Sequence, residues 1–193
     1  MFFSLIILIL LSLPLLVVLT RLILKQYAIK SQTAFVVVLG DIGRSPRMNY
    51  HSLSLAKYNY NVRIIGYTDS KQMNEIQSNK NINVSALNSF PKSLQLGPQL
   101  IQYILKALFL TLNLLFVLIK TRPLPKFVLV QNPPSIPTLA VVYFYTLLTG
   151  SKFVIDWHNY GFTILALKNG PDNILVKLCK RFALYTNIHC KTV

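Results

Sequence analysis

Short apolar runs alternate with polar, breaker-rich segments along the chain after residue 33. Five of these runs are strand-like, being short, apolar and mostly bounded by turn residues; they cover residues 34–39, 62–67, 82–87, 126–130 and 152–155. Longer stretches between and after them predict helices over residues 46–58, 100–120, 138–148 and 173–185. Nearly continuous apolar strands that alternate with helices indicate an α/β fold, in which helices cover both faces of a parallel sheet.

The apolar stretch at the start of the chain predicts a membrane anchor. The first twenty residues carry no charged side chain, and about 20 apolar residues suffice for one span. A cleaved signal peptide would begin with basic residues, whereas here Arg21, Lys25 and Lys30 follow the apolar run. Because these cations flank its C-terminal end, we predict an uncleaved single-pass anchor and hinge over residues 1–30, with the remaining chain in the cytosol.

The predicted helix over residues 100–120 has two interpretations. Between Ile101 and Ile119 its only charge is Lys106, so by composition it could cross a bilayer and make the chain a protein with two spans. A second crossing would carry the following strands to the other side of the membrane. We favour a helix that lies against the sheet and dips an apolar face into the membrane.

The charge and the cysteine content of the chain indicate which kinds of ligand and partner it binds. The chain has 193 residues, of which 53% are hydrophobic, and its 20 Lys and Arg against 5 Asp and Glu give a formal charge of +15. Such a charge favours a membrane surface or phosphorylated ligands. The cations are scattered between apolar runs without a recognition motif, so we expect no nucleic acid partner. Cys179 and Cys190 fit no zinc or redox spacing, and we expect neither a metal nor a cofactor.

The segment after the first predicted strand has the composition of an anion site. In parallel sheets ligands bind beyond the carboxyl ends of the strands. Gly40 and Gly43 allow a sharp turn and close approach of a ligand. A helix that begins near Pro46 points free N–H groups at the same place. Arg44 and Arg47 add guanidinium groups suited to phosphate oxygens. A phosphate or diphosphate site is therefore predicted, although neither dinucleotide nor P-loop spacing is present; an ordinary turn with two solvated arginines is the alternative.

Two later strand ends carry further polar groups. Gln131 and Asn132 precede paired prolines, and their side-chain amides suit binding of sugar hydroxyls. The alternative is that this segment only ends the strand and forms a rigid loop. After the last predicted strand an acid, an imidazole, an amide and two aromatic rings fall together, at Asp156, Trp157, His158, Asn159 and Tyr160. Aromatic rings stack on sugars, and an acid beside an imidazole suits proton transfer. The histidines at positions 51 and 189 lack such neighbours, and we take them to be structural.

Three segments closely resemble one known family. They read "VVVLGDIGRSPRMNYHSLSLA", "QNPPSIPTLAV" and "GSKFVIDWHNYGFTILAL", and they are similar to the N-terminal half of the chitobiosyldiphosphodolichol β-mannosyltransferases. The resemblance runs from about residue 34 to residue 178. It implies a two-domain glycosyltransferase of the GT-B type, with two Rossmann-like domains facing across a cleft. It also implies transfer of mannose from GDP-mannose to dolichyl-diphosphate-chitobiose in N-glycan precursor synthesis, on the cytosolic face of the endoplasmic reticulum membrane.

The resemblance also assigns parts of this activity to the chain. Residues 31–193 would form the acceptor-side domain, and the donor domain that binds most of the sugar nucleotide would be missing. The last fifteen residues, "CKRFALYTNIHCKTV", match the family poorly. We therefore expect little activity from this chain alone. The alternative is a non-enzymatic membrane-bound module that binds lipid diphosphates or partner glycosyltransferases of lipid-linked oligosaccharide assembly.

Roles for individual residues follow from the same resemblance. Gly40, Gly43, Arg44 and Arg47 would hold the diphosphate of the acceptor near the membrane. His158 or Asp156 would act as, or orient, the base that takes the proton of the acceptor hydroxyl. The family converts an α-linked donor into a β-linked product, and such an inverting single displacement needs a base on the side of the nucleophile. The residues predicted to contact sugar are Gln131, Asn132, Trp157, Asn159 and Tyr160.

Overall fold

A computed structural model describes residues 18–22, 24, 26, 31–91, 98–134, 136–157 and 161–189. The anchor predicted over residues 1–30 falls mostly outside these ranges. Within them, residues 18–22 are helical, and the apolar side chains of Val18, Leu19 and Leu22 are exposed. The anchor therefore stays a prediction.

The described part of the chain forms a five-stranded sheet with the strand order β3-β2-β1-β4-β5. All four strand pairs are parallel. The strands are β1 (Thr33–Asp41), β2 (Asn61–Tyr67), β3 (Ile82–Ala86), β4 (Phe127–Asn132) and β5 (Lys152–Trp157). The predicted α/β class with a parallel sheet is confirmed. Below, the carboxyl edge is the edge of the sheet where the strands end, and the amino edge is the edge where they begin.

Helices cover both faces of the sheet. They are α1 (Pro46–Lys57), α2 (Asn74–Ser78), α3 (Gln99–Lys120), α4 (Thr138–Thr149), α5 (Gly161–Asn169) and α6 (Ile174–His189), with a short 3₁₀ turn at Ile42–Arg44. Successive strand side chains point to opposite faces. On one face, Val36 and Ile64 pack with Met48 of α1 and Ile76 of α2; we call this the α1 face. On the other, named the α4 face, the strands pack with α3 and α4. The short helices α2 and α5 were not predicted.

Helix α3 is buried on one side only. Over Ile101–Lys120 it is long and apolar enough to cross a membrane by length and composition. However, Leu114 and Leu118 are fully buried against the sheet, and the Asn113 amide donates a 2.8 Å hydrogen bond to the Asn88 carbonyl. The exposed side carries a row of large apolar residues: Ile101, Tyr103, Ile104, Leu105, Leu108, Leu112, Phe116 and Ile119. The packing against the sheet matches the favoured interpretation, while membrane contact stays a prediction.

Three strands continue past their predicted ends, and the added residues belong to the candidate site. Strand β1 continues through Gly40 and Asp41. Strand β4 continues through Gln131 and Asn132, and β5 continues through Asp156 and Trp157. The register pairs Gln131 with Asp156 and Asn132 with Trp157. These four residues are therefore held by backbone hydrogen bonds of the sheet rather than by loops.

Candidate functional site

Asp41 organises the turn that follows β1. Its Oδ1 accepts hydrogen bonds of 3.2 Å from the N–H groups of both Gly43 and Ser70, and its Oδ2 lies 3.5 Å from Arg44 Nε. Arg44 Nε also donates to Ser70 Oγ at 3.1 Å. The hydrogen bonds from Ser70, with that from Gly43 and the charge of Arg44, lower the pKa of Asp41 although partial burial opposes them. Our sequence reasoning missed Asp41, although an Asp before a Gly-containing turn is a local capping signal.

The two glycines of this turn differ in how closely other atoms approach them. A Cβ on Gly43 would lie 2.7 Å from the Lys71 carbonyl oxygen and 2.9 Å from that of Ser70. A Cβ on Gly40 would meet only Val38 Cγ1, at an ordinary 3.8 Å. Neither glycine has a positive φ. Gly43 is therefore crowded by the backbone of the Ser70–Lys71 segment, whereas a side chain at Gly40 would make only an ordinary contact, and the predicted approach of a ligand to these glycines stays a prediction.

Arg47 and Asp156 form an ion pair that joins the first and last predicted loops. Arg47 Nη2 donates to Asp156 Oδ1 at 2.5 Å, and His51 Nε2 lies 3.8 Å from Asp156 Oδ2. Arg47 and His51 share one side of α1 because they are four residues apart. Arg47 is half exposed, but only 8% of the Asp156 side chain is exposed. Our interpretation of His51 as an isolated structural histidine missed this contact, although its spacing from Arg47 was a signal.

The other predicted residues divide between the two faces of the sheet. Asp156 points to the α1 face, and the alternation of β4 places Gln131 there too, since Leu129 packs on that side. The Gln131 Oε1 atom is buried without a hydrogen-bond partner in the described part of the chain. Asn132 is fully buried, and Trp157 packs in the cluster of the α4 face. The structure thus brings Asp156 and Gln131 together and separates them from Asn132 and Trp157.

His158, Asn159 and Tyr160 lie outside the described residues. The catalytic role predicted for His158 and the sugar contacts predicted for Asn159 and Tyr160 stay predictions. Among the residues that are described, no three His, Cys, Asp or Glu side chains come together as a metal site.

Two cavities adjoin these residues. One, of about 530 Å³, lies between α1 and strands β4 and β5; Arg47, His51 and Asp156 line it together with apolar side chains such as Leu129 and Val154. The second, of about 330 Å³, lies between α3 and the segments that follow the strands, and its lining includes Leu39, Tyr67, Asp69, Phe90, Lys106 and Ile136. Burial, aided by the charge of Asp69, raises the pKa of Tyr67. The first cavity combines charged groups with an apolar floor. The second combines apolar side chains with two charged residues, Asp69 and Lys106.

No protein-family model matches the chain, but curated relatives do. The chain is 45% identical over 144 residues to a protein of Pongo abelii, a match that covers 75% of this chain and 31% of the relative. It is 44% identical over 153 residues to one of Yarrowia lipolytica, with 78% and 33% covered. Both are named chitobiosyldiphosphodolichol beta-mannosyltransferase. It is also 41% identical over 153 residues to the UDP-glycosyltransferase TURAN of Arabidopsis thaliana, with 77% and 33% covered. The chain therefore spans about a third of the length of these relatives.

Proposed function

Since about three quarters of this chain is homologous to chitobiosyldiphosphodolichol beta-mannosyltransferases, we propose that residues 31–193 supply the acceptor-side domain of such an enzyme. The proposed reaction is β-1,4 transfer of mannose from GDP-mannose to dolichyl-diphosphate-chitobiose during synthesis of the N-glycan precursor. Its main support is the identity of 41–45% with relatives named as glycosyltransferases. One of these relatives is named for a UDP-sugar, so the nucleotide of the donor needs its own test.

The diphosphate of the acceptor is proposed to bind at the start of α1. The side chain of Ser45, which precedes this helix, does not cap it; its Oγ donates instead to the Asp41 carbonyl at 3.1 Å. The first turn of α1 therefore presents its N–H groups and partial positive charge without a capping side chain. Arg44 is 82% exposed and Arg47 is 52% exposed, so both guanidinium groups can reach a ligand at this edge.

Binding of the diphosphate would change the partner of Arg47. A phosphate oxygen competes with Asp156 for the guanidinium, because both are anionic hydrogen-bond acceptors. As Arg47 turns toward phosphate, the Asp156 carboxylate loses its closest cation and is left free to accept a hydrogen bond from the acceptor hydroxyl. In the reaction, the acceptor hydroxyl oxygen bonds to the anomeric carbon of mannose while the bond to the nucleotide phosphate breaks. The hydroxyl proton passes to Asp156 or to His158, and the nucleoside diphosphate leaves.

The lipid part of the acceptor fits the neighbouring cavity. The cavity beside α3 has apolar side chains that suit isoprenoid units, and its two charged residues are Lys106 and Asp69. The exposed apolar side of α3 continues from this cavity along the protein surface. Together with the predicted anchor, that surface would place the domain on the cytosolic face of the endoplasmic reticulum membrane.

A chimeric enzyme tests the proposed reaction. Residues 31–178 of this chain would replace the matching segment of the Yarrowia lipolytica relative, which supplies the two thirds that this chain does not cover. We expect mannose transfer from GDP-mannose to dolichyl-diphosphate-chitobiose, with UDP-sugars assayed in parallel. Asp156→Asn or His158→Ala should lower kcat, whereas the matched surface variant Lys57→Ala should not. Normal turnover in both site variants would remove these residues from catalysis.

The exposed arginines at the start of α1 also suit a second function, which needs lipid binding but no catalysis. The chain would then be a non-enzymatic membrane-bound module that binds lipid diphosphates or partner glycosyltransferases of lipid-linked oligosaccharide assembly. Binding of the acceptor lipid by the full chain, combined with a chimera that transfers no mannose, would support this alternative.

A further inference from the structure

A cationic cavity lies at the side of the sheet, at the end of α3. It has a volume of about 440 Å³, and its lining includes Arg63, Ser85, Asn88, Phe116, Lys120 and Arg122. In the described part of the chain, which includes all five acidic residues, its three cations form no ion pair. The cavity is therefore an unneutralised positive site with polar side chains beside it.

The cations of this cavity lie away from the turn after β1 that carries the proposed acceptor site, although Ser85 and Asn88 in its lining come from the end of β3 and the segment after it. Arg122 follows the end of α3, and four residues later the Lys126 N–H donates a 2.8 Å hydrogen bond to the carbonyl of Thr33, the first residue of β1. The end of α3 thus lies toward the amino edge of the sheet. Arg63 is the third residue of β2, so it too lies near the start of its strand. The three cations therefore belong to a different part of the fold from Arg44 and Arg47, which follow the end of β1.

Apolar groups surround this cationic cavity. Leu112, Phe116 and Ile119 on the outer side of α3 are 65%, 62% and 52% exposed. The Lys120 ammonium lies 5.8 Å from the centre of the Phe116 ring, which holds a cation beside an apolar surface. Arg122 also lines a neighbouring cavity together with Leu24, so an apolar residue near the predicted anchor lies at the same edge. A soluble anion needs no such apolar rim, whereas a phospholipid presents a phosphate directly above its acyl chains.

We infer that Arg63, Lys120 and Arg122 bind the phosphate of an anionic membrane phospholipid, while the exposed side of α3 rests among the acyl chains. The arrangement combines an apolar helix surface with cations at its end, the combination by which interfacial helices recognise anionic bilayers. The bound lipid fixes the rotation of the domain about its anchor. The carboxyl edge is thereby held beside the membrane rather than turned away from it.

Native mass spectrometry of the detergent-purified full chain tests this site. Phosphatidylserine and phosphatidylcholine are added in equal amounts, and retained lipids are counted per chain. We expect phosphatidylserine to be retained in preference. Each basic residue near a membrane surface contributes about 1 kcal/mol, so Arg63→Gln/Arg122→Gln should weaken phosphatidylserine binding roughly 30-fold. Lys120→Gln alone should weaken it roughly fivefold.

A matched variant separates the site from overall charge. Lys57→Gln/Lys80→Gln removes the same charge from exposed positions elsewhere and should leave binding unchanged. Unchanged binding in both site variants, or an equal loss in the matched variant, would overturn the inference. Inorganic phosphate is the third arm: if it displaces phosphatidylserine at similar concentration, the ligand is a free anion and the lipid assignment is wrong.

Discussion

Arg47 and Asp156 are 109 positions apart in the sequence, and Arg47 Nη2 lies 2.5 Å from Asp156 Oδ1. The pair joins the first turn of α1 to the end of β5, so it crosses the α1 face at the carboxyl edge. Its two members are not equally exposed, because Asp156 is nearly buried while Arg47 is half in solvent. The nearly buried Asp156 carboxylate therefore needs the ion pair for its stabilisation more than the Arg47 guanidinium does, because water solvates the guanidinium.

This asymmetry predicts unequal effects of removing each partner. Arg47→Ala leaves a nearly buried carboxylate without its closest cation and should cost roughly 2 kcal/mol of unfolding free energy. Asp156→Asn leaves a half-exposed guanidinium that water solvates, so it should cost less than about 1 kcal/mol. Urea denaturation of the two variants measures the difference. A larger loss for Asp156→Asn than for Arg47→Ala would show that the guanidinium, not the carboxylate, depends on the pair.

The two glycines of the β1 turn provide a matched pair of substitutions. In Gly43→Ala the new methyl group meets backbone carbonyl oxygens at 2.7 and 2.9 Å, which cannot move without shifting the Ser70–Lys71 segment. We expect a loss of about 1 to 3 kcal/mol. Gly40→Ala makes only an ordinary contact and should change stability little. Thermal unfolding of both variants tests the difference, and equal melting temperatures would contradict the proposed crowding at Gly43.

Asp41 should make the turn sensitive to acid. Its folded-state pKa lies below the ordinary 3.8, chiefly because Ser70 donates to the carboxylate. The folded state thus favours the ionised form, and this stabilisation is complete above about pH 4 and is lost as pH falls through the lowered pKa. Asp41→Asn should remove that part of the pH dependence. Melting temperatures between pH 7 and pH 3 measure it, and parallel acid profiles for the variant and the unmodified chain would exclude Asp41 as the cause.

Tyr145 should make the core sensitive to alkali. Its side chain is 3% exposed, and its hydroxyl has no hydrogen-bond partner in the described ranges. Burial raises its pKa well above 10, and the charge of Arg122 opposes this only in part. The neutral phenol is therefore favoured in the folded state, so stability is retained below about pH 10 and is lost as pH rises further.

The matching substitution is Tyr145→Phe. It removes a buried hydroxyl without a partner and should leave stability at pH 7 unchanged or slightly higher. It should also reduce the loss of stability between pH 9 and pH 11, as measured by thermal unfolding. A clear destabilisation at pH 7 would show that the hydroxyl has a partner.

The sheet and the long helices could be predicted because their signals are local. The β-branched run of β1, and Pro46 at the first position of α1, specify those elements within a few residues. Helix α2 was missed because five residues are too few to show a periodic pattern; burial of Ile76 under the α1 face stabilises it instead. The ends of β4 and β5 were also missed, because their last residues are polar and are held by pairing across the sheet.

The sequence could predict which residues belong to the candidate site, but not which of them contact one another. The sequence identified Arg47 and Asp156 separately, each with a role of its own, whereas their contact depends on the strand order. The proximity of His51 to Asp156 has the same origin. By contrast, the turn around Asp41 and Gly43 is formed within a few residues, and closer attention to Asp41 would have found it.

The affinity of the full chain for dolichyl-diphosphate-chitobiose tests most directly whether the carboxyl edge binds a lipid-linked diphosphate. Isothermal titration in detergent would compare the unmodified chain with Arg44→Ala, Arg47→Ala and the matched surface variant Lys57→Ala. Charge-assisted hydrogen bonds are worth about 1.5 to 3 kcal/mol, so each site variant should raise Kd by roughly tenfold or more, while Lys57→Ala leaves it unchanged. The same Kd for all four proteins, or no binding by any of them, would contradict a diphosphate site at this edge.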